Sequence, residues 1–295
     1  MSLFLRLLNE ADKAAALGEV CRMYRAGGTG EGPVVSDQQS EISGHRTGNG
    51  DPRVFEVTPD AFDTLPGKPF AYWVSEAVRD TFGRLSAFEG EGRTVKQGLA
   101  TADDFRFVRA WWEVDLQWTV VVCQHWFPFA KGGAYSPYYS GMILKLNWAN
   151  NGATLKGKAE QEHGNIGKRV YNENFYFRPG LTWPQRTSSG LSLRAMPAGC
   201  IFADKGPAAF VANDDPNALL ALLALTNSRA FGLLVSLQLA AADAAARSYE
   251  VGVIQKTPVP HLSAEHQDTL AALARRAWSL KRTLDTVEET SHAFL

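Results

Sequence analysis

The sequence contains few cysteines and no long apolar run. Its three cysteines, Cys21, Cys123 and Cys200, are far apart in a chain of 295 residues and show neither a disulfide framework nor a zinc-ligand spacing. This usage is typical of a reduced, intracellular setting. No segment reaches the roughly 18 to 20 uninterrupted apolar residues of a membrane helix, and the N-terminus becomes acidic too early for a signal peptide. We therefore expect a cytoplasmic protein with no membrane partner.

Net charge and catalytic motifs are also lacking. The formal net charge is −1, which excludes a bulk attraction to nucleic acid or membrane. The histidines have no metal-ligand spacing to cysteines or acidic residues. Neither a G-x-S-x-G elbow nor a phosphate loop ending in G-K-[ST] is present. We predict no catalytic residue, no metal site and no cofactor bound by this chain.

The first 52 residues predict a helix and a linker. Apolar side chains of residues 3–25 fall on one helical stripe. Residues 26–52 are rich in Gly, Ser and Asp, which indicates a linker or a long loop. Their glycines follow a helix and not a strand, so a phosphate-binding loop is not expected there.

From residue 53 the pattern is mixed. VFEVTPDAF predicts a strand followed by a turn, and YWVSEAVRDTFGRL predicts a helix. The alternation of ILKLNWANNGATL around Asn150-Asn151-Gly152 predicts a hairpin. Further segments dominated by β-branched and aromatic residues predict strands, namely VRAWWEVDLQWTVVVCQHWF, VYNENFYF and AGCIFA.

The last third of the chain is predicted to be helical. Asp215 suits a helix cap and Pro216 a first helical position, before one long helix or two short ones. YEVGVIQKTPVP is predicted to be extended, and Ser263 to cap the final helix. That helix has a heptad seam, which requires a partner helix. The seam residues are Leu270, Leu273, Ala277, Leu280, Leu284 and Val287.

Positive charge and tryptophan are concentrated in one window. Residues 93–194 contain 13 Lys/Arg against 7 Asp/Glu, and six of the eight tryptophans. Cations neutralise phosphates, glycines permit close backbone approach, and forked or planar side chains read bases. The alternative is that Trp111, Trp118, Trp126 and Trp148 belong to the core and that the cations form a solvated face.

Two loops carry the strongest candidates for nucleic-acid contact. In the first, Arg186 can pair with a guanine edge, and neighbouring hydroxyls can meet bases or phosphates. In the second, Lys131 can contact a phosphate beside Gly132 and Gly133. The full candidate set is Arg106, Arg109, Lys131, Tyr135, Lys168, Arg169, Trp183, Arg186, Ser188, Ser189 and Arg194.

The order of several blocks resembles a known family. The chain is similar to the C-terminal target-recognition half of large adenine-specific DNA methyltransferases, a group that includes BREX phage-defence and type IIG restriction-modification enzymes. The resemblance covers about residues 53–262. The blocks are KQGLATADDFRFVRAWWEV, WFPFAKGG, LNWANNG, NFYFRPGLTWPQRTSSGLSLRAMPAGCIFADKG, LALLALTNSRAF and VGVIQKTPVP.

The resemblance implies a DNA-recognition domain that works with a catalytic domain. In the family that domain binds S-adenosylmethionine and methylates adenine N6. The L-x-x-L-x-N-S block and the closing P-x-P, here Leu222 to Ser228 and Pro258 to Pro260, mark the end of the recognition domain. Ser136-Pro137-Tyr138-Tyr139 has one proline where the catalytic loop has two, so this chain alone is not expected to methylate DNA.

These observations predict an α+β protein with a mixed sheet. Its segments are an N-terminal helix and linker (1–52), a DNA target-recognition domain (53–262) and a heptad helix (263–295). The expected partners are double-stranded DNA, a methyltransferase catalytic domain or subunit, and a helix that docks on residues 270–287. The alternative function is a protein-interaction module of a defence complex, and a third is an enzyme with an unrecognised site.

Overall fold

The computed structural model describes residues 2–25, 51, 53–114, 125–239 and 247–294. Its contacts define two compact units. One comprises the described residues of Met1–Ser86 and Ser236–Ala240, the other those of Ala87–Val235 and Ala241–Leu295. Almost all of the predicted linker, together with Trp118 and Cys123, lies outside the described residues. The segment limits at residues 52 and 262 remain predictions.

The first unit begins with a strand where the sequence predicted a helix. Strand β1 (Ser2–Leu5) pairs antiparallel with β2 (Val54–Val57), and helix α1 is Lys13–Arg25. The carboxylate of Asp12 accepts hydrogen bonds from the backbone N–H groups of Ala14 and Ala15, at 3.0 and 2.9 Å. The predicted helix over 3–25 is therefore wrong at its start, because Asp12 caps the helix there.

Aromatic residues form the core of this unit. Phe55 and Phe62 are buried, and the rings of Phe4 and Tyr72 stack with centroids 4.8 Å apart. The predicted helix after Trp73 is confirmed as α2 (Glu76–Arg84).

The remaining elements follow in chain order. They are β3 (Ser86–Ala87), β4 (Arg93–Lys96), α3 (Asp104–Phe107), β5 (Val108–Ala110), β6 (Trp126–Ala130), β7 (Leu144–Asn147), α4 (Ala149–His163), β8 (Gly180–Thr182), β9 (Arg186–Thr187), β10 (Arg194–Met196), β11 (Ile201–Phe202), β12 (Ala208–Val211), α5 (Pro216–Thr226), α6 (Arg229–Gln238), β13 (Arg247–Ser248), α7 (Val251–Lys256), β14 (Pro258–Val259) and α8 (Ala264–Leu284).

Two four-stranded sheets organise the second unit. One is antiparallel, in the order β10-β8-β12-β4. The other is mixed, in the order β11-β6-β7-β5, because β11 runs parallel to β6 while the other pairs are antiparallel. Phe129, Leu146, Phe202 and Phe210 contribute to their common core. The prediction of an α+β fold with a mixed sheet is confirmed.

The Asn-Asn-Gly turn does not form the predicted hairpin. Asn150, Asn151 and Gly152 do adopt left-handed conformations, with φ of 51°, 57° and 71°. The chain then continues into a helix and not a second strand. Trp148 packs so closely that a Cβ on Gly152 would lie 2.5 Å from its ring. Leu155, one turn further on, is buried in the core.

Two predicted extended segments are also wrong. Residues Glu173–Phe175 of VYNENFYF form a 3₁₀ turn, entered through Asn172 at a left-handed φ of 53°. Residues Val251–Lys256 form α7, which buries Ile254. In both segments the β-branched and aromatic residues serve the core from a turn or a helix, so packing overrides strand propensity.

The C-terminal helices begin where the caps predict. Asp215 accepts a hydrogen bond from the N–H of Asn217 at 2.8 Å, and Ser263 from that of His266 at 3.3 Å. The apolar stretch after Pro216 forms two helices, and α8 packs along the first of them, α5. Within the described residues no single helix has the length and apolarity to cross a membrane. Helices α5 and α6 meet that criterion only as a pair bent by 69°.

Candidate nucleic-acid interface

Arg186, the candidate for base contact, lies on a short ribbon of two strands. Strands β9 and β13 pair antiparallel, with Arg186 opposite Ser248 and Thr187 opposite Arg247. Arg186, Arg247 and Ser248 are exposed. Neither guanidinium has an ion pair or hydrogen bond with any other described residue. The ribbon therefore exposes two guanidinium groups that no other residue in the described part of the chain engages.

The base of the ribbon is fixed by Trp183, which corrects a prediction. Its side chain is completely buried, and its indole N–H donates a hydrogen bond of 3.0 Å to the carbonyl of Tyr249. The N–H of Tyr249 in turn donates to the carbonyl of Gln185 at 2.6 Å. Trp183 is therefore not a nucleic-acid contact in this structure, because no face of its ring is accessible.

The tip of the ribbon carries hydroxyl groups. Ser188 and Ser189 are exposed, and the N–H of Ser189 donates to the Thr187 hydroxyl at 3.0 Å. The half-exposed Tyr135 lies against this tip, since a Cβ on Gly190 would sit 3.8 Å from its ring. Arg186, Ser188, Ser189 and Tyr135 thus belong to one surface, which we call the ribbon surface.

The loop of residues 131–135, the glycine loop, is held against the protein by Arg194. The Arg194 guanidinium donates to the carbonyls of Gly132 and of Ala134, the latter at 3.0 Å. Arg194 is only 3% exposed, and burial lowers the pKa of its guanidinium to about 10. The prediction that Arg194 contacts nucleic acid is therefore wrong for this structure. It positions the loop instead.

Gly132 lets the glycine loop pack closely against the backbone of Lys205. Its φ is 84°, and a Cβ there would lie 2.6 Å from the carbonyl oxygen of Lys205. Lys205 is adjacent to the ribbon, because its carbonyl accepts a hydrogen bond from the N–H of Gln185 at 3.0 Å. The glycine loop and the ribbon therefore share one support.

The Asn of the L-x-x-L-x-N-S block connects this support to α5. Its side-chain oxygen accepts from the N–H of Leu193 at 3.1 Å, and its amide donates to the carbonyl of Leu193 at 2.9 Å. That carbonyl also accepts from the N–H of Tyr138 at 2.8 Å. Asn227 thus imitates a neighbouring strand and fixes the backbone that precedes Arg194.

Helix α8 contacts the segment that directly follows the glycine loop. The Lys281 ammonium donates to the Ser136 hydroxyl at 2.7 Å. The rings of Trp278 and Tyr139 meet edge to face, with centroids 5.6 Å apart. The last helix is therefore part of the scaffold of the ribbon surface.

Lys131 is already paired in the structure. Its ammonium forms an ion pair with Asp104, whose carboxylate also accepts from the Thr101 hydroxyl. Burial acts to raise the pKa of Asp104, but the hydrogen bonds from Lys131 and Thr101 outweigh it and the pKa is lowered. Contact between Lys131 and a phosphate remains a prediction, and it requires the ammonium to exchange this carboxylate for the phosphate.

The other four candidates lie around α3 and the end of α4, away from the ribbon in sequence. Arg106 and Lys168 are exposed, and neither has a carboxylate at ion-pair distance among the described residues. Arg109 donates to the carbonyl of Val108 at 2.7 Å, and Arg169 pairs with Glu162 at 3.4 Å. The roles of these residues as contacts remain predictions.

The sequence reasoning missed Arg247 and Lys205. Arg247 enters the ribbon surface only because β13 pairs with a strand about 60 residues earlier, and no local pattern reports such a pairing. Lys205 is largely exposed, pairs with Asp204 at 3.3 Å and donates to the Gln185 side chain at 3.2 Å. Within the described residues no three His, Cys, Asp or Glu side chains are grouped to hold a metal ion.

Two curated proteins resemble this chain over most of its length. The adenine-specific methyltransferase PglX of Lacticaseibacillus casei (strain Zhang) is 27% identical over 237 residues, 78% of this chain. The adenine-specific methyltransferase BrxX of Escherichia coli O9:H4 (strain HS) is 30% identical over 218 residues, 72% of this chain. The chain is homologous to part of these methyltransferases. It spans only 19% and 16% of their respective lengths. No family model matches it.

Proposed function

We propose that this chain recognises a specific double-stranded DNA sequence as the specificity part of an adenine-N6 DNA methyltransferase. The observation that carries the proposal is the ribbon surface, where Arg186 and Arg247 extend from a ribbon of two strands with no ion-pair partner among the described residues. The major groove of B-DNA admits a two-stranded ribbon, and a guanidinium there can pair bidentately with guanine O6 and N7. Phosphates would be held by lysines around the ribbon.

The rigid base of the ribbon supports the proposal that its side chains select among DNA bases. A side chain that selects among bases must be held in one geometry, and the Trp183–Tyr249 hydrogen bond and the Asn227–Leu193 pair provide that support. The exposed hydroxyls of Ser188 and Ser189 add donors and acceptors at the tip.

The methyl transfer itself is assigned to other parts of the enzyme. The relatives are named adenine-specific methyltransferases, and this chain covers less than a fifth of either. S-adenosylmethionine would bind to the catalytic domain or subunit, and the chain alone would not methylate DNA. We place the complete enzyme in a restriction-modification or BREX-type phage-defence system, as the resemblance in sequence implies.

The test is selection of bound duplexes from a randomised pool at about 50 and 200 mM salt, where phosphate contacts differ strongly in strength. Enrichment of one short motif that contains adenine supports the proposal. Salt-sensitive binding without enrichment contradicts sequence recognition by this chain alone. No binding at either concentration contradicts DNA binding altogether.

A second candidate function is protein docking through α8, and an exposed seam favours it. Leu273, Leu280, Leu284 and Val287 are between 57% and 77% exposed. The helix packs on its own unit through a different face, which includes Ala271 and Ala274. Four of the predicted seam positions are thus left without a partner in the described residues.

We propose that the partner of this seam is an acidic amphipathic helix, because the charged side chains along this part of α8 are positive. Residues 269–284 contain four cations and no acidic residue, and Arg275, Arg276 and Arg282 are exposed. A second copy of α8 would bring like charges together, whereas acidic flanking residues would pair with them.

Two leucine-faced helical peptides of about four heptads, one with acidic and one with basic flanks, provide the test. Binding of the acidic peptide that is lost in L280E/L284E supports the proposal. Equal binding of both peptides, binding of neither, or dimerisation of the chain through the seam contradicts it.

A further inference from the structure

Phe105 is unusual among the large apolar side chains, because it is 90% exposed. Phe107, two residues later in the same short helix α3, is buried in the core. Exposure of a phenylalanine leaves the hydrophobic free energy of its burial ungained. A single exposed apolar residue is common, so the surroundings of Phe105 decide whether it has a role.

A rigid support holds Phe105 in place. Asp103 caps α3 by accepting a hydrogen bond of 3.1 Å from the N–H of Arg106, and it pairs with Lys158 at 3.1 Å. Asp104 pairs with Lys131 and with the Thr101 hydroxyl. The backbone that carries Phe105 is therefore fixed on both sides.

The net charge around the Phe105 ring is positive, because ion pairs with lysines neutralise Asp103 and Asp104. Lysines compensate both aspartates, whereas Arg106 and Arg109 have no carboxylate at ion-pair distance among the described residues. The Arg109 guanidinium lies 5.5 Å from the centroid of the Phe105 ring and donates to the Phe105 carbonyl. The exposed ring thus has the Arg109 guanidinium beside it, while the guanidinium of the next residue, Arg106, lies 5.3 Å from the centroid of the Phe107 ring.

A chain of contacts joins this position to the ribbon surface. Asp104, next to Phe105, pairs with Lys131 of the glycine loop. Gly132 packs on the carbonyl of Lys205, which accepts a hydrogen bond from Gln185 next to Arg186. A duplex bound to the ribbon would therefore rest on backbone that these contacts connect to the backbone carrying Phe105.

We propose that Phe105 inserts between two base pairs of the bound DNA, while Arg106 and Arg109 contact the phosphates beside that step. The inference rests on the proposed function. Aromatic and other apolar side chains that insert between base steps unstack them and kink the duplex, and adjacent cations hold the displaced backbone. Among partners, a nucleobase offers the flat apolar face on which an exposed ring beside a guanidinium can stack.

The experiment uses the full chain and a set of duplexes carrying the selected motif, with 2-aminopurine at one position at a time. Phe105→Ala is compared with Phe105→Trp, which keeps a flat ring, and with Leu8→Ala, which removes another exposed apolar side chain. The wild type is expected to raise 2-aminopurine fluorescence at one step. F105A should lose that rise and bind about tenfold more weakly, F105W should retain both, and L8A should match the wild type.

The outcomes separate this inference from the proposed function. Binding of the motif with no fluorescence rise at any step, or with the same rise in F105A, overturns the wedge but leaves DNA recognition intact. Equal weakening by F105A and L8A also overturns it, since the loss is then not specific to the ring. A wild-type chain that binds no duplex overturns both.

Discussion

The indole N–H of Trp183 donates a hydrogen bond of 3.0 Å to the backbone carbonyl of Tyr249. Trp183 precedes the first strand of the ribbon and Tyr249 follows the second, so this bond closes the ribbon where it enters the core. The exposed arginines therefore extend from a base that packing and hydrogen bonding both fix. The proposed recognition of bases by the ribbon surface requires that rigidity.

Trp183→Phe should weaken the base without changing the exposed residues. The variant keeps a buried ring but leaves the Tyr249 carbonyl without its donor, which should lower the free energy of unfolding by about 1 to 2 kcal/mol. Urea denaturation measures this, and the DNA affinity should fall as well. A W183F protein as stable as the wild type would show that the bond does not hold the ribbon.

Arg194→Ala should affect stability, whereas Arg186→Ala should not. Loss of Arg194 removes the donor to the carbonyls of Gly132 and Ala134 and empties the buried site that its own side chain fills, at an expected cost of about 2 kcal/mol. Arg186 is exposed and unpaired among the described residues, so R186A should remain within about 0.5 kcal/mol of the wild type. Equal stability of the two variants would contradict the assignment of Arg194 as a positioning residue.

Gly132→Ala should be more harmful than Gly133→Ala. Both glycines have positive φ, 84° and 108°, so both variants carry backbone strain. Only at position 132 would the new Cβ also lie 2.6 Å from the carbonyl of Lys205. Thermal unfolding and DNA affinity compare the two variants. Equal effects would mean that strain alone, and not the close approach, limits this loop.

The Asp104–Lys131 pair predicts a specific pH dependence. Because the pKa of Asp104 is lowered in the folded state, its contribution is complete above the unfolded value of about 3.9 and is lost as the pH falls through the folded value. Asp104→Asn should therefore be less stable than the wild type at pH 7, by under about 1 kcal/mol for so exposed a pair. The difference should begin to shrink as the pH falls below about 4 and should vanish only below the lowered folded pKa of Asp104.

Lys131→Ala is the matched variant for this pair, because it removes the same interaction from the other side. Its free energy of unfolding, measured over the same pH range, should approach that of the wild type in the same window. A deficit in either variant that persists unchanged at pH 3 would contradict the electrostatic origin of the effect.

Local chemistry determined which parts of the fold the sequence could predict. The caps at Asp215 and Ser263 were found correctly, because a side chain that caps a helix bonds to the backbone within three residues. The element that follows Asn150 to Gly152 could not be predicted from such local hydrogen bonding. The left-handed turn was predicted correctly, but the core position of Leu155 decides that a helix follows it.

Long-range packing determined the rest. The ribbon pairs residues about 60 positions apart, so Arg247 was missed, and the burial of Trp183 and Arg194 depends on partners distant in sequence. The heptad pattern correctly predicted a helix as far as Leu284, but its last position, Val287, lies in a 3₁₀ turn beyond the helix. The helix α8 packs on α5 through a face with the small residues Ala271 and Ala274. Small side chains permit close approach, which leaves most of the leucine seam exposed.

The most direct test of base reading by the ribbon compares the motifs that the wild type and R186A select from the same randomised duplex pool. If Arg186 pairs with a guanine, R186A should become indifferent at one base-pair position and keep its preferences elsewhere, a loss of about 1 to 3 kcal/mol of discrimination at that position. Identical motifs from both proteins, with the same preference at every position, would contradict the central claim.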